Sequence, residues 1–241
     1  MIICLDSGNT RIKWGVHDGA RWLGQGAISH AEVSSLAGQL SPWPGVEKIL
    51  LANVAGVSAA QTIRQALTDW PADWLEVVSE ASRCGVRNGY KIPGQLGVDR
   101  WCALLGARAM TQLPCVVVMA GTATTIDSLD ASGRFLGGFI LPGGELMRRA
   151  LAKDTAGLPF ANGAYSAYPQ CTDDAIVAGS IEAQVGAIER AVTRLGTKAE
   201  CLISGGNARA LAEQCAKPCR IVKNLPLEGL LQLAHDIYPR R

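Results

Sequence analysis

Apolar residues in the N-terminal half of the chain fall into short runs that are separated by polar turns. The runs at 2–5 and 48–53 are apolar almost throughout, which predicts two buried strands. Over 10–16, apolar residues alternate with polar residues or glycine, so a strand with one buried face is predicted to turn back beside the first. The rest of this half predicts a strand near 21–28, helices at 31–40 and 58–68, a strand at 74–78, an ordered loop at 88–94 and a helix at 98–110.

The same succession of strand, glycine loop and hairpin begins again in the second half of the chain. A buried strand at 115–119 leads into a Gly/Thr loop at 120–124, and hairpin strands follow at 125–129 and 135–140. Later segments predict helices at 144–153, 172–195 and 207–216 and a strand at 200–204. We therefore predict an α/β protein of two similar halves, 1–112 and 113–241, that face each other around one cleft.

Length and charge narrow the possible functions. The chain has 241 residues, enough for one large domain or two small ones, and a net charge of +2. It has no run of basic residues longer than a pair, such as the terminal Arg240-Arg241, so no binding of nucleic acid is expected. Neither a cationic leader nor an apolar segment of about 18 residues is present, which predicts a cytoplasmic protein without a membrane partner.

The eight cysteines are expected to be free thiols rather than metal ligands. They form no Cys-x-x-Cys pair, and the chain has only three histidines to complement them. Several cysteines lie inside apolar runs, where a buried thiol behaves as a small hydrophobic group. The close pair Cys215 and Cys219 is weak evidence by itself, so no zinc site is predicted.

The first polar turn, between the strands at 2–5 and 10–16, has the composition of a phosphate-binding loop. Gly8 lets the backbone approach an anion closely, and Asn9 and Thr10 add polar groups at the same turn. Asp6 ends the first strand and offers oxygen ligands to Mg²⁺. The alternative is an ordinary β-hairpin with a polar turn.

Two further glycine loops follow strands, at 121–124 and 204–207. The second of these places two glycines before a helix, which is typical of a loop that packs on a nucleoside. Neither GxxxxGK[ST] nor a GxGxxG that opens a helix occurs, so a P-loop NTPase or a Rossmann dehydrogenase is not expected. A GxSxG nucleophile elbow is missing too.

The segment from Tyr90 to Trp101 is the second concentration of candidate chemistry. Asp99 begins the helix at 98–110, where its charge suits the helix dipole. One interpretation is a helix-terminal acid paired with its neighbours. The other is a general base or substrate anchor, with Arg100 binding a carboxylate.

Five segments together resemble those of type III pantothenate kinases, a family that includes proteins also labelled Bvg accessory factors. They occur in the family's order over nearly the whole chain, and the Gln-Leu-Gly-x-Asp-Arg stretch combined with the N-terminal loop is specific. The segments are Asp6–Lys13, Pro93–Trp101, Gly121–Asp127, Leu136–Gly143 and Cys171–Gly179.

This resemblance implies the duplicated actin-like ATPase fold of acetate kinase, sugar kinases, heat-shock chaperones and actin, with two similar halves around a nucleotide cleft. It implies ATP-dependent phosphorylation of pantothenate to 4'-phosphopantothenate, the first step of coenzyme A biosynthesis. ATP and pantothenate would be the ligands and Mg²⁺ a cofactor. A homodimer would complete the pantothenate site at the subunit interface.

The resemblance also assigns roles to individual residues by matching position. Asp99 would be the catalytic base, and Asp6 would hold Mg²⁺. The positions that match contacts to ATP and its phosphates are Asp6, Gly8, Asn9, Thr10, Lys13, Gly121, Thr122, Gly205 and Gly206. The positions that match pantothenate contacts are Tyr90, Gly97, Val98, Asp99, Arg100 and Thr172, the last of which reaches in from the partner subunit in the family.

Met119 departs from the family pattern. The residue before Ala120-Gly121-Thr122 is usually an acid in the family, where it helps to bind K⁺ or NH₄⁺. A thioether is a poor ligand for a hard cation, so weak or absent K⁺ dependence is expected here.

Two other functions compete with the kinase. A non-catalytic regulatory or accessory protein on the same fold would not need Asp6, Asp99 and Arg100 together. A phosphatase or hydrolase of this fold would share the phosphate loops, but it would not need the segment from Tyr90 to Arg100.

Overall fold

The computed structural model describes residues 1–239; the terminal pair Arg240 and Arg241 lies outside the described residues. The first of two five-stranded sheets contains β1 (Ile2–Ser7), β2 (Arg11–His17), β3 (Trp22–Ser29), β4 (Lys48–Asn53) and β5 (Asp73–Glu76), in the order β3-β2-β1-β4-β5. β1 pairs antiparallel with β2 and parallel with β4. A small antiparallel ladder of β6 (Ser82–Arg83) and β7 (Val86–Arg87) follows.

The second sheet repeats the topology of the first. It contains β8 (Cys115–Ala120), β9 (Ala123–Leu129), β10 (Phe135–Pro142), β11 (Glu200–Ser204) and β12 (Cys219–Ile221), in the order β10-β9-β8-β11-β12. β8 pairs antiparallel with β9 and parallel with β11, as β1 does with β2 and β4. The duplicated α/β architecture predicted from the sequence is therefore confirmed.

Seven α-helices lie within the described residues. They are α1 (Leu36–Leu40), α2 (Val57–Ala66), α3 (Val98–Met110), α4 (Gly144–Asp154), α5 (Thr172–Leu195), α6 (Ala208–Ala212) and α7 (Leu225–Ile237). In the described part of the chain, none of them is long and apolar enough to cross a lipid bilayer.

The chain divides into two compact units, each with its own core. The first comprises residues 1–110 and the described residues from Asn224 onward, and the second comprises Thr111–Lys223. Ile3, Leu5 and Ile49 belong to the buried core of the first unit, and Val116, Val118 and Ile203 to that of the second. This division differs from the predicted halves mainly at the C-terminus, because α7 packs against α3 and β1 in the first unit.

Several segments differ from the sequence predictions, which included neither the ladder of β6 and β7 nor the strand β12. No element was predicted over α7, whose sequence carries Pro226 in the first turn and Gly229 in the middle. Pro226 needs no intrahelical N–H partner there, and a side chain on Gly229 would overlap the Cys102 carbonyl group of α3. Tight packing against α3 thus outweighs the low helix propensity of these residues.

The helices predicted at 31–40 and 207–216 are shorter than expected. The first begins as a 3₁₀ helix, His30–Ser35, and becomes α-helical only from Leu36. The second ends at Ala212, because Gln214 bonds back to Leu211 and the N–H of Ala216 donates to Glu189 Oε1 at 2.7 Å.

Candidate active site

Asp6 and Lys13 form a charged pair at the first glycine loop. They are direct partners in the antiparallel register of β1 and β2, and Lys13 Nζ lies 3.6 Å from Asp6 Oδ2. Asp6 is only 4% exposed, because the strand that carries it runs through the core of the first sheet. The turn between the two strands is more open, and Asn9 and Thr10 are exposed.

The pKa of Asp6 depends in part on the nearby charge of Asp99. Burial raises the pKa of the Asp6 carboxyl to about 6, the positive charge of Lys13 opposes this rise, and the negative charge of Asp99 adds to it. The two carboxylates are thus close enough to influence each other. Two acids and one lysine give this part of the first unit the charges that Mg²⁺ and a phosphate group require.

Asp99 lies in the first turn of α3 and is half-buried. Its Oδ1 accepts a hydrogen bond from the backbone N–H of Arg100 at 2.8 Å, so one carboxylate oxygen caps the helix start. Gly97 leaves room for this carboxylate. The predicted helix at 98–110 is confirmed with the same bounds.

Arg100 and Tyr90 are held together next to Asp99. Arg100 is 4% exposed and donates from Nη1 to the Tyr90 hydroxyl oxygen at 3.0 Å, with the guanidinium 5.8 Å from the ring centroid. A buried guanidinium needs polar partners, and a planar donor of this kind suits a carboxylate ligand. The structure therefore brings Tyr90, Asp99 and Arg100 together, with Val98 buried beside them.

Asn88 and Ser79 support this cluster, and the sequence interpretation overlooked both. Asn88 Nδ2 donates to the carbonyl groups of Glu80 and Pro93, and its Oδ1 accepts from the N–H of Tyr90 at 3.0 Å. Ser79 Oγ donates to the Leu96 carbonyl at 2.7 Å. The Asn88-Gly89 pair is a turn signal that marks Asn88 as a residue that fixes the loop.

His30 is a further residue that sequence reasoning did not connect with the site. Its Nε2 lies 2.7 Å from the carbonyl oxygen of Gly8, in the first glycine loop. The N–H of Gly8 donates to the Arg11 carbonyl at 3.1 Å, so this loop is held by two contacts at one residue. A lone histidine far along the chain carries no local signal of such a contact.

The second glycine loop occupies the equivalent position in the second sheet, between β8 and β9. Gly121 and Thr122 are exposed, and the Thr122 carbonyl accepts a hydrogen bond from Gly143 at 2.9 Å. Behind the loop, buried Thr124 donates to Gln184 of α5 at 2.5 Å. The loop is thus open on one side and fixed on the other.

The third glycine loop lies directly against the second. The N–H of Asn207 donates to the Ala120 carbonyl at 3.1 Å, and Gly205 has a φ of +112°. A side chain on Gly205 would overlap the same carbonyl oxygen, whereas Gly206 is exposed. Within the second unit the structure therefore brings Gly121, Gly205 and Gly206 close together.

Met119 is half-buried in β8, where it pairs with Thr125 of β9 and Ser204 of β11. The Thr125 hydroxyl is buried without a protein partner, so polar atoms do lie near this position. The thioether itself offers K⁺ no hard ligand, so residue 119 does not fit a monovalent cation site of the expected kind.

The remaining predictions for the site concern Thr172 and the side chains that could hold a metal ion. Thr172 is exposed at the first position of α5. Among the described residues, no group of three or more His, Cys, Asp or Glu side chains could enclose a metal ion. Asp6 fits Mg²⁺ in another way, since this ion is held by one or two carboxylates together with substrate phosphates.

Comparison with known proteins identifies the family. Residues 2–194 match the family model described as type III pantothenate kinase. The chain belongs to the type III pantothenate kinase family. It is similar to the type III pantothenate kinase of Dechloromonas aromatica, with 60% identity over 97% of this chain and 99% of that one. It is 50% identical to the type III pantothenate kinase of Aromatoleum aromaticum, over 98% of both chains. The predicted family and enzyme class are confirmed.

Solved structures support the predicted actin-like fold. A Campylobacter jejuni protein, described as a member of the Baf family of transcriptional activators, superposes with a TM-score of 0.60 at 21% identity and covers 98% of both chains. A Sinorhizobium meliloti protein, described as a 2-dehydro-3-deoxygalactonokinase, also gives 0.60, at 15% identity over 100% of both chains. At these identities the likeness concerns the fold of this pantothenate kinase alone.

Proposed function

We propose that this enzyme transfers the terminal phosphoryl group of ATP to the hydroxyl of pantothenate and that Asp99 accepts the hydroxyl proton. The reaction is the first step of coenzyme A biosynthesis. The observation that carries the assignment of the base is the cluster of Asp99 with Arg100 and Tyr90, beside the Asp6–Lys13 pair. Phosphoryl transfer depends mainly on positioning and charge neutralisation, and this cluster supplies one base among fixed polar groups.

Asp99 acts as the general base through one oxygen while the other is held. Its Oδ1 caps the start of α3, so Oδ2 is the oxygen proposed to take the proton from the attacking hydroxyl. A carboxylate in the first turn of α3 lies at the positive end of the helix dipole.

Arg100 and Tyr90 bind pantothenate, together with the backbone of Gly97 and Val98. The guanidinium, already oriented by the Tyr90 hydroxyl, pairs with the carboxylate of pantothenate. Because Arg100 is almost completely buried, its charge is weakly screened and its contribution to binding is correspondingly large.

ATP phosphates are bound by Asn9, Thr10 and Lys13, with the Gly8 backbone allowing close approach. In the second unit, Gly121 and Thr122 contact phosphate, and Gly205 and Gly206 contact the nucleoside. Asp6 would hold Mg²⁺, and the bound ion would neutralise charge on the phosphates. The low exposure of Asp6 and its contact with Lys13 support this role, since a buried carboxylate needs a positive partner.

No requirement for K⁺ or NH₄⁺ is proposed for this chain. The family's usual acid is replaced by Met119, and the sulfur cannot balance the charge of a monovalent cation.

A homodimer completes the pantothenate site, with Thr172 contributed to the neighbouring copy. Exposed apolar side chains on β10 and α4 support such an interface: Leu136, Phe139, Ile140, Leu146 and Leu151. None of the residues of α4 is fully buried in one chain, which is unusual for a helix with apolar side chains. Sedimentation velocity tests this directly, since Ile140→Arg should shift the protein from dimer to monomer with loss of turnover.

A cytoplasmic location also remains part of the proposal. The eight cysteines are all free, as expected for a protein kept in a reducing compartment.

The deciding experiment is pantothenate-dependent formation of ADP by the purified enzyme with Mg²⁺. Asp99→Asn should lower kcat by about 10²–10⁴-fold, the usual contribution of a general base, while its melting temperature stays that of the wild type. A variant with near wild-type turnover would remove Asp99 from this role. A folded wild-type protein without any activity would instead favour the regulatory alternative.

A further inference from the structure

His30 contacts the first glycine loop from the start of the 3₁₀ helix that follows β3, and its partner there is a backbone atom. Its Nε2 lies 2.7 Å from the carbonyl oxygen of Gly8. We infer that His30 is a positioning residue for ATP, which fixes the peptide between Gly8 and Asn9 in the orientation that phosphate binding needs. This inference rests on the proposed role of the loop in binding phosphate.

The register of β2 and β3 places His30 next to the loop. Ser29, the last residue of β3, pairs with Arg11, the first residue of β2, so the chain leaves β3 beside the loop. The following 3₁₀ helix is fixed at its start, because Glu32 Oε2 accepts from the N–H of Ser29 at 3.0 Å and from its hydroxyl at 2.7 Å. The backbone of His30 therefore has little conformational freedom where its side chain contacts the loop.

The geometry of the peptide bond explains how one contact at Gly8 orients Asn9. The Gly8 carbonyl and the Asn9 N–H belong to the same planar trans peptide and point in opposite directions. A hydrogen bond that fixes the carbonyl therefore also fixes the direction of the N–H. Glycine has an unusually free backbone, so without His30 this peptide could rotate and present its oxygen where an anion should meet a donor.

The acceptor atom also determines which ring nitrogen of His30 carries a proton in this contact. A carbonyl oxygen only accepts hydrogen bonds, so Nε2 of His30 must carry the proton. The positioning role requires a hydrogen-bond donor at position 30, and it does not require an imidazole ring. Glutamine carries an N–H donor at a similar reach, whereas leucine has comparable bulk and no donor.

The test compares His30→Leu with His30→Gln in steady-state kinetics with ATP and pantothenate varied separately. His30→Leu should raise the KM for ATP about 5- to 10-fold, the effect of one lost hydrogen bond, and should leave the KM for pantothenate unchanged. His30→Gln should stay within about two-fold of the wild type. Ser35→Ala is the matched control, since its hydroxyl bonds to Glu32 within the same 3₁₀ helix.

An unchanged KM for ATP in His30→Leu would overturn the inference, and so would a His30→Gln enzyme as impaired as His30→Leu, because then the ring and not the donor matters. His30→Ala, which adds no bulk, replaces His30→Leu if the latter melts early. Lys13→Met tests the proposed phosphate role of the loop separately from the role of His30. If it too leaves the KM for ATP unchanged, the phosphate role of the loop fails, not the role of His30 alone.

Discussion

The carboxylate of Asp99 occupies the space that the missing side chain of Gly97 leaves open. A Cβ atom at position 97 would lie 2.7 Å from Asp99 Oδ1, closer than real Cβ contacts allow. The same Oδ1 accepts the N–H of Arg100 at 2.8 Å. Glycine at position 97 and the orientation of the proposed base are therefore linked by simple exclusion of volume.

Gly97→Ala should consequently impair catalysis more than folding. The added methyl group must displace the short Asp99 side chain, so kcat should fall by at least about 10-fold, a loss typical of a misplaced catalytic group. Gly94→Ala is the matched control in the same segment, because no atom lies within 4 Å of its Cβ position. Equal kcat values for the two variants, measured alongside their melting temperatures, would argue against this link.

Asp6 should make stability depend on pH in a defined direction. Burial raises the pKa of Asp6 from 3.8 to about 6 in the folded state, so the folded chain holds this proton more tightly than the unfolded chain. The free energy of unfolding therefore falls as the pH rises from about 4 to about 6 and stays lower above that window.

The variant Asp6→Asn does not titrate and isolates this effect. Its stability relative to the wild type should rise between pH values of about 4 and about 7, by on the order of 3 kcal/mol at most. Urea denaturation in metal-free buffer measures the difference, and added Mg²⁺ should reduce it because the cation favours the ionised carboxylate. A difference that is constant with pH would contradict the raised pKa.

Gly205 and Gly206 should differ sharply in their tolerance of alanine. Gly205→Ala places a side chain at a φ of +112° and against the Ala120 carbonyl, so the free energy of unfolding should fall by at least roughly 1–3 kcal/mol. Gly206 has open space at its Cβ position, and Gly206→Ala should stay within about 0.5 kcal/mol of the wild type. Denaturant titration of both variants checks this; similar losses in the two would be inconsistent with it.

Met119 should determine the response to monovalent cations. The wild-type enzyme is expected to work equally well in K⁺, NH₄⁺ and Na⁺ salts, because its thioether cannot ligate a hard ion. Met119→Asp should introduce stimulation by K⁺ over Na⁺ in the same assay. A wild-type enzyme that is strongly activated by K⁺ would show that oxygens other than a side chain at position 119 bind the ion.

Local patterns predicted the parts of the site that local structure decides. The strand before Asp6, the helix that begins near Asp99 and the Gly/Thr loop at Gly121 were all predicted, because apolar runs, a helix-terminal acid and glycine turns are short-range signals. The sequence predicted the repeated succession of elements as well, and the matching order of the two sheets confirms it. The helix α7 was missed, because its stability comes from contact with α3 over a long separation in the chain.

The sequence by itself determined the family, the duplicated fold and which residue types form each loop. Only the tertiary structure decided which side chains fix those loops: His30 at Gly8, Asn88 at Tyr90 and Gln184 at Thr124. The last of these pairs joins residues 60 positions apart. A hydrogen bond of this kind depends on strand register and helix packing, which no window of neighbouring residues encodes.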